Sequence, residues 1–287
     1  MKRSTSGWLS GFVGVVIFSG SLPATRLAVT QFDPVFLTAT RAAIAGILAL
    51  LLVIAFSEKR PARRDIPSLL IVAAGVVVGF PLLTALALQH VTSAHSIVFI
   101  GLLPLATAAF GVIRGGECPK PAFWLFAVAG SALVCTFAIL QGLTAAPAGD
   151  GLMLAAIALC GLGYAEGATL SRRLGGWQVI SWALVLSLPV MGALSLWSMP
   201  SSFSGIGAPA LAGLIYVSLF SMLIGFIFWY HGLAHGGIAG VGQLQLLQPF
   251  FGLILAATLL NETVTGGMFA VTAAVIACVG AARRFAH

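Results

Sequence analysis

Ten stretches of roughly twenty residues, each nearly free of charge, take up most of this 287-residue chain. They cover about 8–28, 34–56, 67–88, 94–113, 121–140, 151–171, 177–197, 209–230, 238–259 and 266–283. A helix needs about 20 mostly apolar residues to cross the ~30 Å hydrocarbon layer, so each stretch is long enough to span a bilayer. Charged residues make up only 7% of the chain, against about 25% in a soluble domain. Such a chain cannot be wrapped in a water-facing surface. The expectation is an all-α membrane protein of ten transmembrane helices. The first stretch follows Met1-Lys2-Arg3 but outruns a signal-peptide core and holds Pro23 and Arg26 near its far end, so it is read as a retained span.

The connecting segments set the orientation. With the N-terminus in the cytoplasm, the cytoplasmic pieces hold Lys2, Arg3, Lys59, Arg60, Arg63, Arg64, Arg114, Lys120, Arg172, Arg173, Arg283 and Arg284, twelve of the 14 Lys and Arg residues. Arg26 and Arg41 lie in or beside the first two spans, and the outer loops carry none. Cytoplasmic loops are where membrane proteins concentrate Lys and Arg, so both termini are expected in the cytoplasm. The net charge of +7 is then a topology signal. It lacks the clustered basic face of a nucleic-acid binder, and no nucleic acid is expected as partner.

The chain also repeats itself at an offset of 145 residues. Leu88 falls on Leu233, His90 on His235, Ala94 on Ala239, Pro104 on Pro249 and Glu117 on Glu262. Five spans precede Ala145 and five follow, so residues 1–144 and 145–287 form two five-helix repeats. An odd number of spans makes the second repeat enter the bilayer from the opposite side. Inverted repeats of this kind build two interchangeable gates around a central site in many secondary transporters.

Polar groups inside spans are costly and face protein or a water-filled cavity. Arg41 is read as a structural contact, paired with Asp33 or capping carbonyls. Glu166, about six residues from the cytoplasmic end of its span, is either a cation or proton site or a carboxylate reaching the cytoplasmic vestibule. His95 and Phe99 stand at i and i+4 on one helix face, and Gln243 lies one turn from Gly240, the repeat equivalent of His95. These groups either line a cavity or are satisfied at the interface and between helices. Gln245 and Gln248 stand about 200° and 140° from Gln243 around an α-helix and cannot share its face. Phe80, Tyr164, Trp182, Phe228 and Trp229 are the mid-span aromatics. The expected substrate-binding set is Phe80, His95, Phe99, Tyr164, Glu166, Trp229 and Gln243. Pro81, Pro104 and Pro249 are the expected hinges, since an interior proline removes a helix hydrogen bond.

Catalytic patterns are missing. There is no P-loop, HExxH or paired-carboxylate arrangement, and His90 and His95 lack the aspartate of an acyltransferase motif. Cys118, Cys135, Cys160 and Cys278 show no CxxC or metal-ligand spacing and read as small hydrophobes. No metal, cofactor or enzymatic activity is expected. The competing class is a static bundle with a structural or lipid-binding role.

Ten short spans in two halves resemble the drug/metabolite transporter superfamily, and specifically its EamA-type members. The resemblance rests on Gln248-Pro249-Phe250-Phe251-Gly252 leading to Leu260-Asn261-Glu262-Thr263. It is repeated as Leu103-Pro104-Leu105 ending in Gly116-Glu117, and joined by Asp33-Pro34 before Thr40-Arg41. Size, the His- and aromatic-bearing third and fourth spans and the Gln-rich ninth are similar to YddG-type exporters of aromatic and other neutral amino acids. The resemblance implies a cavity between helices 1, 3, 4, 6, 8 and 9, and export across the bacterial inner membrane. The partners would be a small-molecule substrate and the lipid bilayer, with the protein a monomer or homodimer. Drugs, nucleosides and other metabolites are the alternative substrates; a polyamine would want more than one buried acid.

Overall fold

The computed structural model describes residues 2–91, 96, 99–140, 146–248, 250–252, 254–255 and 266–286. Among these residues every regular element is helical. The chain runs through α1 (Lys2–Ser19), α2 (Ser21–Val29), α3 (Pro34–Ala55), α4 (Ile66–Val72), a π-helical segment (Ala73–Gly79), α5 (Phe80–His90), α6 (Leu103–Gly115) and α7 (Pro121–Leu140). It continues through α8 (Pro147–Leu174), α9 (Gly176–Trp197), α10 (Ala208–Tyr216), a second π segment (Val217–Ile224), α11 (Gly225–Gly236), α12 (Ile238–Gly242), a 3-10 segment (Gln243–Leu247) and α13 (Gly266–Phe285).

Among the described residues, six helical rods are long and apolar enough to cross a membrane: Thr5–Val29, Pro34–Ala55, Arg63–His90, Pro147–Leu174, Gly176–Trp197 and Ala208–Gly236. Each coincides with an expected span to within a few residues, and α6 and α7 supply shorter apolar helices. Leu51, Ile54, Leu125 and Leu196 are exposed on the bundle's flanks, which suits contact with lipid. The start of α3 shows how local chemistry sets these boundaries. Asp33 accepts hydrogen bonds from the backbone N–H groups of Val35 (2.8 Å) and Phe36 (3.1 Å), and Pro34 fills the first helical position, where no N–H is needed.

Several rods are interrupted near their middles. The first breaks at Gly20, between α1 and α2, where Pro23 offers no N–H to the Ser19 carbonyl. In the third rod Pro81 likewise leaves the Val77 carbonyl without its α-helical donor, and the preceding residues form the π segment. There the Phe80 N–H bonds Gly75 O, five residues back. The second π segment arises without a proline, with Gly225 N–H on Phe220 O. The two π segments stand 145 residues apart to within one residue. A turn at Gly101 and Leu102 precedes α6, and Pro104 sits in that helix's first turn. The matching place 145 residues on is the end of the 3-10 segment. Pro249, the third expected hinge, lies outside the described residues.

Glycine lets the halves approach. The α1 and α11 helices touch at backbone level: a Cβ added to Gly232 would lie 2.6 Å from Gly11 N. This is the close approach expected of small residues four apart. The first π segment meets α8 in the same way, with a Cβ on Gly75 falling 3.0 Å from Gly163 Cα.

Both termini lie at one end of the bundle, where Trp8 packs under the Arg283 guanidinium at 4.6 Å and Lys120 N–H bonds Phe285 O. Three ion pairs gather at this basic end: Arg114 with Glu166 at 2.7 Å, Arg172 with Glu117 at 2.9 Å, and Arg173 with Asp65 at 2.6 Å. Glu117 does more than pair. Its two oxygens accept the N–H groups of Ile238 and Ala239, each at 2.7 Å, so a carboxylate after α6 caps the start of α12. Negative charge is favoured there because the first N–H groups of a helix have no intrahelical partner.

Two stability predictions follow from this packing. Gly232→Ala should lower the melting temperature of the detergent-purified protein by the equivalent of about 1–3 kcal/mol, the usual cost of overpacking. Gly151→Ala, where a Cβ meets nothing within 4 Å, should leave it unchanged; equal melting of the two variants would refute the close approach. Glu117→Ala strips two N–H groups and Arg172 of their acceptor and should cost about 1–2 kcal/mol. A melting curve identical to the parent's would show that the cap contributes nothing.

Candidate functional site: a closed cavity between the two halves

The helix interruptions converge on one enclosed cavity of about 40 Å³. That is room for a few water molecules. Its wall is built from both halves of the chain. Phe18, Ser21 and Thr25 come from the first rod, Arg41 from α3, and Phe80, Pro81 and Thr84 from the third rod. Tyr164 of α8, Ser221 of the second π segment, Phe226 of α11, and Gln248 close the other side. Val76 and Ser221, 145 residues apart within the two π segments, both face it.

Four aromatic rings, those of Phe18, Phe80, Tyr164 and Phe226, stand in the wall beside aliphatic and hydroxyl side chains. Phe226 meets Phe18 edge-on with centroids 5.1 Å apart, and Tyr164 meets Phe226 at 5.9 Å, the edge-to-face arrangement aromatic rings prefer. The polar groups are concentrated at one place. Ser21 Oγ donates to Ser221 Oγ at 2.8 Å, and Arg41 Nη2 donates to the same oxygen at 3.2 Å. Arg41 is 6% exposed, its Nε has no hydrogen-bond partner, and no carboxylate among the described residues pairs with it. A buried cation without a counterion costs several kcal/mol. Gln248 Nε2 donates to Phe18 O at 3.2 Å, and Thr84 Oγ1 is buried without a partner.

Of the expected substrate-binding residues, the structure brings Phe80 and Tyr164 to this cavity, together with the expected hinge Pro81. Trp229 stands behind the wall, fully buried, with its ring 5.4 Å from Tyr164 and 6.2 Å from Phe18. Phe99 packs on the main core beside Ile100, which does line the cavity. Glu166 is turned toward the basic end and held by Arg114. Gln243 is fully buried off the cavity, and neither its amide nitrogen nor its oxygen has a partner; Gln245 is fully buried as well. His95 lies outside the described residues.

Arg41 differs from its expected role. Asp33 is occupied in capping its own helix, and eight helical residues put Arg41 about 12 Å further along the axis. The signal was in the chain: an aspartate directly before proline at a helix start is already engaged, which leaves Arg41 unclaimed. Gln248 rather than Gln243 faces the cavity, consistent with the two amides belonging to different faces. Ser21 and Ser221 carried no local signal, because their pairing joins residues 200 apart.

A second, open groove of about 520 Å³ lies near the basic end between α1, α9 and α11, where His231 and His235 stack at 4.2 Å. It is a surface feature, set apart from the enclosed junction of the halves.

The profile of the EamA-like transporter family matches residues 5–139 and again 147–282. The uncharacterized transporter YdeK of Bacillus subtilis (strain 168) is 69% identical over 286 residues, covering 100% of both chains. A protein of Streptantibioticus cattleyicolor named a probable terminal-alkyne amino-acid exporter is 23% identical, over 91% of this chain and 88% of its own. A solved crystal structure superposes with a TM-score of 0.80 at 20% identity, over 98% of each chain, a likeness of fold. With the apolar rods, these matches make the molecule a multi-pass protein of the bacterial cell membrane and a transporter of small molecules rather than an enzyme. The chain belongs to the EamA-like transporter family of the drug/metabolite transporter superfamily.

Proposed function

We propose that this transporter exports small neutral amino acids, aromatic ones among them, by alternating access around the central cavity. The observation that carries this reading is the cavity itself, lined by four aromatic rings, aliphatic side chains and a serine–arginine cluster and supplied by both halves of the chain. An apolar side chain suits the rings, and a compact polar end suits the hydroxyls and amide. The named function of the Streptantibioticus relative points the same way.

In this reading residues 1–144 and 145–287 are inverted five-helix repeats, ten spans in all, with the basic end in the cytoplasm. The three ion pairs and the Glu117 cap then close the cytoplasmic side, and the cavity is occluded. The third and fourth of these spans and the eighth and ninth move about their interruptions, near Pro81, Pro104 and Pro249. Helix breaks are tolerated in lipid only where other groups satisfy the freed backbone, and π segments often mark functional positions. The buried, unpartnered amide of Gln243 supports a second state in which it meets water or substrate. Phe80 and Tyr164 form the substrate wall, while Phe99, Trp229, His95 and Gln243 contribute as the site opens. Glu166, through Arg114, belongs to the closing contacts.

Proteoliposomes holding the purified protein should take up labelled Phe, Trp, Met or Thr in a saturable manner, with competition among neutral amino acids. Phe80→Ala should raise the apparent KM about 10-fold, the equivalent of roughly 1.5 kcal/mol of lost apolar contact. Uptake no greater than into empty liposomes, from protein that melts cooperatively, would overturn the amino-acid assignment.

A further inference from the structure

We infer that Arg41 is the anchor for a substrate carboxylate, which makes the cavity selective for small monocarboxylates carrying an apolar side chain. The inference rests on reading this cavity as the transport site. Arg41 lines the cavity, is 6% exposed, and has a free Nε beside an Nη2 whose partner is the Ser221 hydroxyl. The Nε and Nη2 edge of a guanidinium is a fixed two-donor fork that matches the two oxygens of a carboxylate. Ser221 Oγ accepts from both Ser21 and Arg41, so its own hydrogen is left to donate. A carboxylate entering from the cavity would meet three donors at one place, and a buried cation would gain the counterion it lacks among the described residues.

The rest of the wall decides what else the substrate can carry. Phe80, Phe226 and Tyr164 present apolar faces, and no Asp or Glu among the described residues lines the cavity. An ammonium group would find only neutral acceptors such as Thr84 Oγ1 and the Gln248 amide oxygen. A zwitterionic amino acid is therefore held by its carboxylate, with its amine a minor contributor. An amine or amide without a carboxylate has nothing to pair with Arg41. A second carboxylate, as in aspartate or glutamate, has no second cation among the described lining residues.

The test uses the full-length protein in liposomes with labelled phenylalanine. In the wild type, 3-phenylpropanoate should compete with phenylalanine, while phenethylamine, phenylalaninamide and glutamate should not. Arg41→Gln should raise the apparent KM on the order of 10- to 100-fold, the usual weight of a hydrogen bond to a charged group, and Arg41→Lys should restore part of the loss. Competition by phenylalaninamide equal to that of 3-phenylpropanoate, or an unchanged KM in Arg41→Gln, would overturn the anchor while leaving amino-acid transport standing. Absence of phenylalanine uptake in the wild type would overturn the transport reading itself. The competition series needs no variant, so it decides the matter even if Arg41→Gln does not fold.

Discussion

Hydrocarbon offers no hydrogen bonds, and this constraint orders the rest of the molecule. A backbone in lipid must satisfy its own N–H and C=O groups, which leaves uninterrupted α-helix as the default for every lipid-facing stretch. Departures from it are affordable only where protein or water supplies partners. The π segments at Ala73–Gly79 and Val217–Ile224, the break at Gly20 and the 3-10 segment at Gln243–Leu247 each hold or adjoin a residue of the cavity wall: Val76, Ser221, Ser21 and Gln248. Side-chain donors from other rods meet the carbonyls near the Gly20 break: Tyr216 Oη bonds Ile17 O and Gln248 bonds Phe18 O. The irregular backbone and the cavity are consequences of the same rule.

The second consequence concerns charge. Among the described residues, three carboxylates pair with arginines at the basic end, where solvent and neighbouring loops soften desolvation. Glu117 couples this ionic layer to backbone geometry, because its position settles where α12 begins. Arg41 is the contrary case, a cation deep in the bundle with hydroxyl company and no acid among the described residues. A transporter needs such local incompleteness at its site. A cavity whose polar groups were all mutually satisfied would have nothing left to offer a substrate.

The spans were legible because the apolar runs are long and their boundaries carry capping chemistry, as at Asp33-Pro34. Phe80, Tyr164 and Pro81, conspicuous in the chain as mid-span aromatics and a mid-span proline, do line the cavity. The contacts that Glu166 and Arg41 make were not legible, since each is set by a partner far along the chain. Glu166 is claimed by Arg114, 52 residues away, and Arg41 meets Ser221, 180 residues away. Gln243 and Gln248 were separable as faces from helical geometry, yet which face meets the cavity depends on how that stretch packs.

The amino-acid sequence by itself determined that the protein is helical and membrane-embedded, because nothing with so little charge and so many apolar runs can present a surface to water. It also determined where most rods start, since caps, prolines and glycines act within a few residues. Tertiary structure alone decided the site. Ser21 joins Ser221, Arg41 loses Asp33, and Gln248 replaces Gln243 at the cavity because helices packed side by side bring together residues that no local pattern relates.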